Sequence, residues 1–528
     1  MKQQIFSVIK KYIDSDFFLE KPKDMSLGHY ATPVAFSLAK ELKKSPMIIA
    51  EELVKKIQNE DVFEKVTAIN GYINFKLSQK FMDEFVTWAL TNEDDFAKGN
   101  NKGSILIEFV SANPTGPLHI GHTRGAVVGD SLCRIGRHLG YSITSEYYIN
   151  DAGNQIDLLG ISIHLRAQES IFGKNVELPE KYYRGEYIDS IIEEIISKYG
   201  KEFLDNKDNL NKMSEFGKDF MMIEIPNELK SINVSIENYV SEKSLFSKWN
   251  ESFEKLEKNN KTYKKDDKIW LKSSEYGDEK DRVIVREDGV PTYIAGDIIY
   301  HDDKFQRDYD HYINIWGADH HGYIDRIKAS VEFLGYDEKK LEIILAQMVS
   351  LLKDGQPFKM SKRAGTSILL SDIVSEIGSD ALRFMFISKK SDTHLEFDVN
   401  ELKKSDNSNP VYYINYAHAR INQVFEKSGK SIEDMKNIKL QELNESAQNL
   451  LFFALLLPEV LEDAFNSRQI QKVSDYLKNL SSLLHKFYNE NRVVGSKDED
   501  KYLKLLAFVA LSIRTGLKLI GITAKNKM

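Results

Sequence analysis

ILIEFVSANPTGPLHIGHTRGAVVGDSLCRIGRHLGYSITSEYYIND, running from Ile105 to Asp151, is the stretch whose reading decides the fold. Ile105 to Val110 is rich in β-branched and aromatic residues and reads as a strand. Asn113-Pro114-Thr115-Gly116-Pro117 then breaks it. Ile120, Val127, Val128, Leu132, Ile135 and Leu139 recur at helical spacing. Gly140 suits the position just past a helix, where positive φ is favoured. Tyr141 to Ile149 is a second strand-like run. The three together form a β-α-β unit. In open parallel sheets such a unit binds a nucleotide where the first strand ends and the helix begins.

The glycines of this stretch do not follow the dinucleotide fingerprint. Instead His119 and His122 stand three apart at the helix start, on one face of its first turn. Unpaired N–H groups and the positive end of the helix dipole make phosphate the natural ligand there. Gly121 between the histidines lets a flat group approach the backbone closely. Taken alone, the histidine pair also fits a plain surface loop or a lone metal pair. Its flanks decide between these readings.

SANPTGPLHIGH, Ser111 to His122, resembles the HIGH signature of class I aminoacyl-tRNA synthetases, in the form used by bacterial-type arginyl-tRNA synthetases. Far downstream, Phe358-Lys359-Met360-Ser361-Lys362-Arg363 resembles the partner KMSKS signature. Either motif alone is moderately specific. The two in this order, a domain's length apart, are highly specific. The resemblance implies ligation in two steps. ATP activates L-arginine to arginyl-adenylate with release of pyrophosphate, and arginine then passes to the 3′ end of tRNA(Arg). Such chemistry needs positioning and charge neutralisation more than covalent help. On this reading His119, His122, Lys359 and Lys362 are catalytic. His119, Gly121, His122, Lys359, Met360, Ser361 and Lys362 bind ATP, with Gly121 leaving room for adenine. Gly355 and Gly365 give the second motif its freedom to move. In relatives whose second motif lacks its later lysine, a lysine tends to stand at the position matching Gly116; this chain has glycine there and keeps Lys362.

A guanidinium demands carboxylates in bidentate geometry and often an aromatic face. Asp297 follows Tyr293 by four residues, one helical turn, in a Y-x-x-x-D that resembles the family's arginine-binding segment. Glu108 lies on the first strand. Asn113 matches the asparagine that holds the substrate's α-amino group in the family, with Ser111 beside it. His320 aligns with a position that is polar, often glutamine, in relatives. Asp319-His320-His321 has no second ligand cluster to accompany it, so no protein-held metal is expected. Mg2+ would accompany ATP, held largely by phosphates and water. No editing domain is visible, which suits a pocket whose buried carboxylates reject neutral competitors.

The totals bound the rest. A length of 528 residues suggests about three domains. Hydrophobic content of 42% and charged content of 29% are globular values. The single cysteine, Cys133, excludes an intrachain disulfide and a cysteine zinc cluster, and fits a reducing cytoplasm. No signal peptide or 18-residue apolar run is present, so neither export nor a membrane span is expected. Net charge is −8, unlike a small DNA-binding module, and is distributed as +1, −13 and +4 over residues 1–90, 91–400 and 401–528.

The organisation expected is multidomain α/β. Residues 1–90 read as a small α+β domain that resembles the family's tRNA-contacting extension, with Gly28-His29-Tyr30 where Gly-Asp-Tyr is usual. Within it Tyr30 to Leu42 reads as a helix, Met47 to Ile57 as a second helix opened by Ser45-Pro46, and Tyr72 to Leu77 as a strand. Residues 91–103 read as a linker. Residues 100–385 form a Rossmann-type catalytic domain, with a helical insertion at about 165–265 that carries no evident chemistry. Residues 400–528 read as an all-α bundle, with helical runs at 446–466, 469–492 and 500–521, resembling the family's anticodon-binding domain. Family resemblance implies a monomer in the cytoplasm.

Overall fold

Ser104–Glu108 (β1) is the middle strand of a five-stranded parallel sheet, and the chain winds outward from it in both directions. Ile120–His138 (α1) leads to Ser142–Ile149 (β2). Glu186–Tyr199 (α2) precedes Asn238–Ser241 (β3). Tyr293–Gln306 (α3) leads to His311–Gly317 (β4), then come Leu341–Ala346 (β5) and Leu370–Ile377 (α4). The sheet order is β3-β2-β1-β4-β5, all pairs parallel. Strand order therefore reverses between β1 and β4, and the crevice beyond their carboxyl ends is where ligands bind in such sheets. The structure is a computed structural model that describes every residue except Lys23, Leu178 and 358–367, and the side chain of Met25.

Helix α1 lies close on the end of β1 on one side and on the C-terminal helices on another because glycines stand at both contacts. A Cβ on Gly129 would stand 2.3 Å from Cγ of Phe109, and one on Gly136 would stand 2.6 Å from the Phe465 ring. Gly140 follows the helix with φ +96°, as its position in the sequence suggests. β1 stops at Glu108, two residues sooner than the apolar run implies. Val110 and Ser111 take φ of +72° and +40°, which no strand tolerates.

Other segments depart from expectation for identifiable reasons. Tyr30–Thr32 is a strand, not the start of a helix, and pairs with Ile73–Phe75. Pro33 disfavours helical backbone at Thr32, so the helix begins at Val34. Residues 91–103 are tied down rather than loose. Phe96 is buried against Phe508, ring centres 5.3 Å apart, and Gly99 and Asn101 donate backbone N–H groups to the end of α1. The stretch at 165–265 supplies the edge strand β3, which the sequence hides in only four residues. The run at 446–466 splits into Glu445–Ala454 and Leu457–Asn466, with Pro458 in the first turn of the second helix.

The terminal helix Glu499–Leu519 is buried almost all round. Such a helix sits in the middle of a bundle. One continuous apolar core runs from Ile5 through the sheet to Ile522. Among the described residues no helix is long and apolar enough to cross a membrane.

Candidate active site

Two groups of functional side chains gather at the crevice beyond β1 and β4. The first is acidic. Asp297 lies one turn into α3, and Glu242 approaches it from the segment after β3. A Cβ on Gly296 would fall 2.2 Å from Oε1 of Glu242, so only glycine lets that carboxylate lie against the helix backbone. The Tyr148 hydroxyl, at the end of β2, stands beside Glu242. The Asp297 carboxylate accepts no hydrogen bond among the described residues. Burial, then the charge of Glu108, pushes Asp297 up to about 7. Burial, then the charges of Asp297 and Asp151, pushes Glu242 to about 7 as well. Two carboxylates held together and short of solvent call for a cation.

Glu108 stands behind this pair, already occupied. One oxygen accepts from Nζ of Lys304 at 2.7 Å and the other from Oγ of Ser111 at 2.9 Å. Lys304 is fully buried and also donates to Asn314 at 2.9 Å. Ser111 Oγ in turn accepts the backbone N–H of Tyr148 at 3.1 Å. The left-handed turn at Val110 and Ser111 is what brings this hydroxyl under the pocket. Tyr293 is 61% exposed at the rim, and its hydroxyl meets that of Tyr323. His320 is exposed on the turn after β4, its ring centre 5.9 Å from Tyr323 and its Nε2 3.7 Å from Asp319. The structure therefore gathers Glu108, Ser111, Tyr293, Asp297 and His320 around one crevice end. Glu108 is less free for a ligand than the sequence reading requires.

The second group borders a cleft of about 550 Å³, lined by Asn113, Gly116, His119 and His122 on one side. His119 caps α1: its Nδ1 accepts from the Gly121 N–H at 3.1 Å, and Nδ1 of His122 takes the His119 N–H at 3.5 Å. The rings stack with centres 3.7 Å apart. Burial lowers the pKa of both, that of His122 to about 3. Both are therefore neutral at neutral pH. With each Nδ1 accepting, the proton sits on Nε2, which can donate to a phosphate oxygen. A Cβ on Gly121 would come within 2.9 Å of the His119 ring, so glycine is needed there for the histidine as well as for a ligand.

Across the cleft stand Tyr183, Arg184, Gly185, Glu186 and Tyr187, with Leu369, Ser371 and Asp372 closing one end. The N-caps of α1, α2 and α4 (His119, Gly185 and Leu369) all border this space. Three positive helix ends thus face one cavity, a setting for an anion.

Comparison with known proteins follows the same division. The chain matches the models for the class I (R) tRNA synthetase catalytic domain over residues 85–427, the DALR anticodon binding domain over 414–528 and the arginyl-tRNA synthetase N-terminal domain over 1–77. It is 60% identical to an arginine–tRNA ligase of a Nitratiruptor species and 62% identical to one of Campylobacter curvus, each over the whole of both chains.

The chain belongs to the arginyl-tRNA synthetase family.

A Campylobacter jejuni structure of this family superposes with a TM-score of 0.83 at 58% identity, covering 86% of this chain and all of that one. The Thermus thermophilus arginyl-tRNA synthetase shares the fold, with a TM-score of 0.77 at 19% identity over the full length of both. The KMSKS-like residues Lys359, Met360, Ser361 and Lys362, with Gly365, lie outside the described residues. Their flanks are anchored at the site. Ile368 accepts the Ile120 N–H at 3.0 Å, Leu370 donates to Leu118 at 2.9 Å, and Gly355 donates to Asp398 at 2.8 Å. The first signature is thus tied, through the backbone bridge of His119 with Leu369, to the segment that follows the second in sequence.

Sequence reading misses Glu242, Tyr148 and the 183–187 segment. Glu242 lies in a short polar stretch, SEKSL, with no motif of its own. Tyr183 to Tyr187, YRGEY, does carry a signal: a glycine at a helix start, where Gly185 adopts φ +143°. Glu228 is missed too. It accepts the Leu118 N–H at 2.8 Å, and burial pushes it up to about 7.

Proposed function

We propose that this chain is an arginine–tRNA ligase whose acidic pocket takes the guanidinium of L-arginine and whose histidine-lined cleft takes ATP. The observation that carries the reading is the desolvated pair Asp297 and Glu242 beside the neutral donors His119 and His122. Arginine's carboxylate attacks the α-phosphorus, the C–O–P bond forms, the α–β bridge breaks and pyrophosphate leaves. The terminal ribose hydroxyl of tRNA(Arg) then attacks the carbonyl and expels AMP.

On this reading Asp297 and Glu242 form the fork that meets the guanidinium, and Tyr293 covers it. Glu108 acts through Lys304 and Ser111, setting the charge and shape of the pocket floor. Asn113, which lines the histidine cleft, takes the α-amino group. His320 contributes a polar rim. His119 and His122 donate to phosphate, and Lys359 and Lys362 supply positive charge to the leaving pyrophosphate, with Met360 and Ser361 between them. Mg2+ would arrive with ATP, held largely on phosphates and water. The working unit is a cytoplasmic monomer with a tRNA-contacting section at 1–90, a catalytic section at 100–385 and an anticodon-binding section at 400–528. One assay tests the whole: ATP-dependent attachment of each of the twenty amino acids to total tRNA. Charging by arginine alone is expected. Charging by another amino acid, or by none, overturns the assignment.

A further inference from the structure

The far wall of the ATP cleft comes from the stretch at 165–265, in which the sequence shows no chemistry. We infer that Arg184, on that wall, is a binding residue for the β- and γ-phosphates of ATP and for the pyrophosphate they become. The inference rests on the placement of ATP in this cleft proposed above.

Arg184 lines the same cavity as His119, His122 and Gly116. Among the described residues its guanidinium forms no ion pair; its contact is with the face of Tyr182, 5.7 Å away. The other walls cannot neutralise a triphosphate. Both histidines are held neutral, and two carboxylates, Glu186 and Asp372, also line the space. Arg184 is thus the permanent cation on the described walls. An arginine fork suits phosphate oxygens, which it can meet with two parallel bonds.

The wall is also fixed in place. Tyr187, three residues on, donates its hydroxyl to the Thr115 carbonyl at 2.9 Å, pinning the insertion to the segment just before His119. Gly116 faces the same hydroxyl at 3.3 Å from its would-be Cβ. Arg184 therefore stands three residues from the point where the insertion is fastened to the first signature segment. The cavity's volume, about 550 Å³, suits a small molecule rather than the end of an RNA helix. That decides for ATP over the tRNA backbone as the anion.

The test uses the full chain with tRNA present. Arginine-dependent pyrophosphate exchange is measured for Arg184→Ala, Arg184→Lys and Tyr187→Phe. For Arg184→Ala, KM for ATP and for pyrophosphate should each rise about tenfold, as for loss of one ionic contact to phosphate. KM for arginine should stay within about twofold. Arg184→Lys should recover part of the loss, and Tyr187→Phe should shift the same two constants more weakly. Single-turnover transfer from preformed arginyl-adenylate should be unchanged. Unaltered ATP and pyrophosphate constants in Arg184→Ala overturn the inference. So does a rise confined to the tRNA constant or to transfer, which would give Arg184 to the RNA. If the unmodified chain shows no arginine-dependent exchange, the functional reading itself fails, and the two failures are distinct.

Discussion

Replacing Asp297 with asparagine keeps the shape of the acidic pocket and removes one of its two charges. The guanidinium then loses an ionic hydrogen bond in a dry site, worth roughly 2–5 kcal/mol. KM for arginine should rise steeply in Asp297→Asn while KM for ATP stays nearly constant, as exchange kinetics would show. Equal losses for both substrates would make Asp297 a structural residue. The same pair sets a pH dependence. Without arginine, Asp297 and Glu242 both protonate near pH 7, because burial and neighbouring carboxylates raise them. A cation binds only the ionised form. The sign follows: KM for arginine should climb as pH falls, by about tenfold from about pH 8 to about pH 6 for each proton taken up. The neutral histidines add nothing to this slope, since burial lowers both of them, His122 to about 3. The slope should flatten in Asp297→Asn. A profile as steep as that of the unmodified chain would mean that other groups titrate.

At the level of elements, periodicity explains which parts of the site are legible in sequence. α1 carries regular apolar spacing and a clear start, so its place can be read directly, whereas Tyr293 and Asp297 on α3 are singled out through the Y-x-x-x-D resemblance. Glu242 and Arg184 cannot be read in either way, because their meaning comes from partners far along the chain, across Gly296 and across the cleft. The strand at Tyr30–Thr32 is misread because its apolar residues continue the helix rhythm, and only Pro33 marks the boundary. A charge-exchange experiment tests whether the two signature segments share the work on the leaving pyrophosphate. Lys362→Ala should lower kcat for adenylate formation by about 3 kcal/mol or more in barrier terms, with little change in arginine KM. Gly116→Lys should return part of that loss from the first signature segment. The sequence suggests that Gly116 needs glycine's backbone freedom, but its φ is not in the left-handed region, and the obstacle is instead the Tyr187 hydroxyl. That is the end of a side chain, so a modest shift admits lysine. If Gly116→Lys has the same effect with and without Lys362, the positions do not exchange a charge.

Across the whole molecule, the seams between sections are as buried as the sections themselves. Arg383, fully buried, donates to Asp130 of α1 and to the carbonyls of Ile232, Asn233 and Ile520, joining the sheet, the insertion and the last helix. Lys504, also fully buried, binds Asp83 and Thr87 of the N-terminal section at 2.6 and 2.7 Å. His29 stacks on Phe452 of the bundle, ring centres 4.2 Å apart, and accepts the Leu77 N–H. Nothing local in the sequence marks these contacts between sections, since each pairs residues more than a hundred positions apart. They also change how tRNA binding must be tested. A fragment of residues 1–400 would take the Ile520 carbonyl from Arg383, Lys504 from Asp83 and Phe508 from Phe96, so its failure to bind tRNA would report unfolding. Breaking a buried charge pair alone costs about 3–5 kcal/mol. A surface substitution avoids this. Tyr412 and Tyr416 lie parallel, ring planes 7° apart and centres 6.2 Å apart, and Tyr416 is 36% exposed with His485 beside it. Such a platform suits an unpaired base, whose stacking is worth roughly 1–3 kcal/mol. Tyr416→Ala should therefore raise KM for tRNA about tenfold in aminoacylation. KM for ATP and arginine should not move, and the melting temperature should stay close to that of the unmodified chain, because the ring contributes little to the core. An unchanged tRNA constant would place the anticodon elsewhere on the bundle.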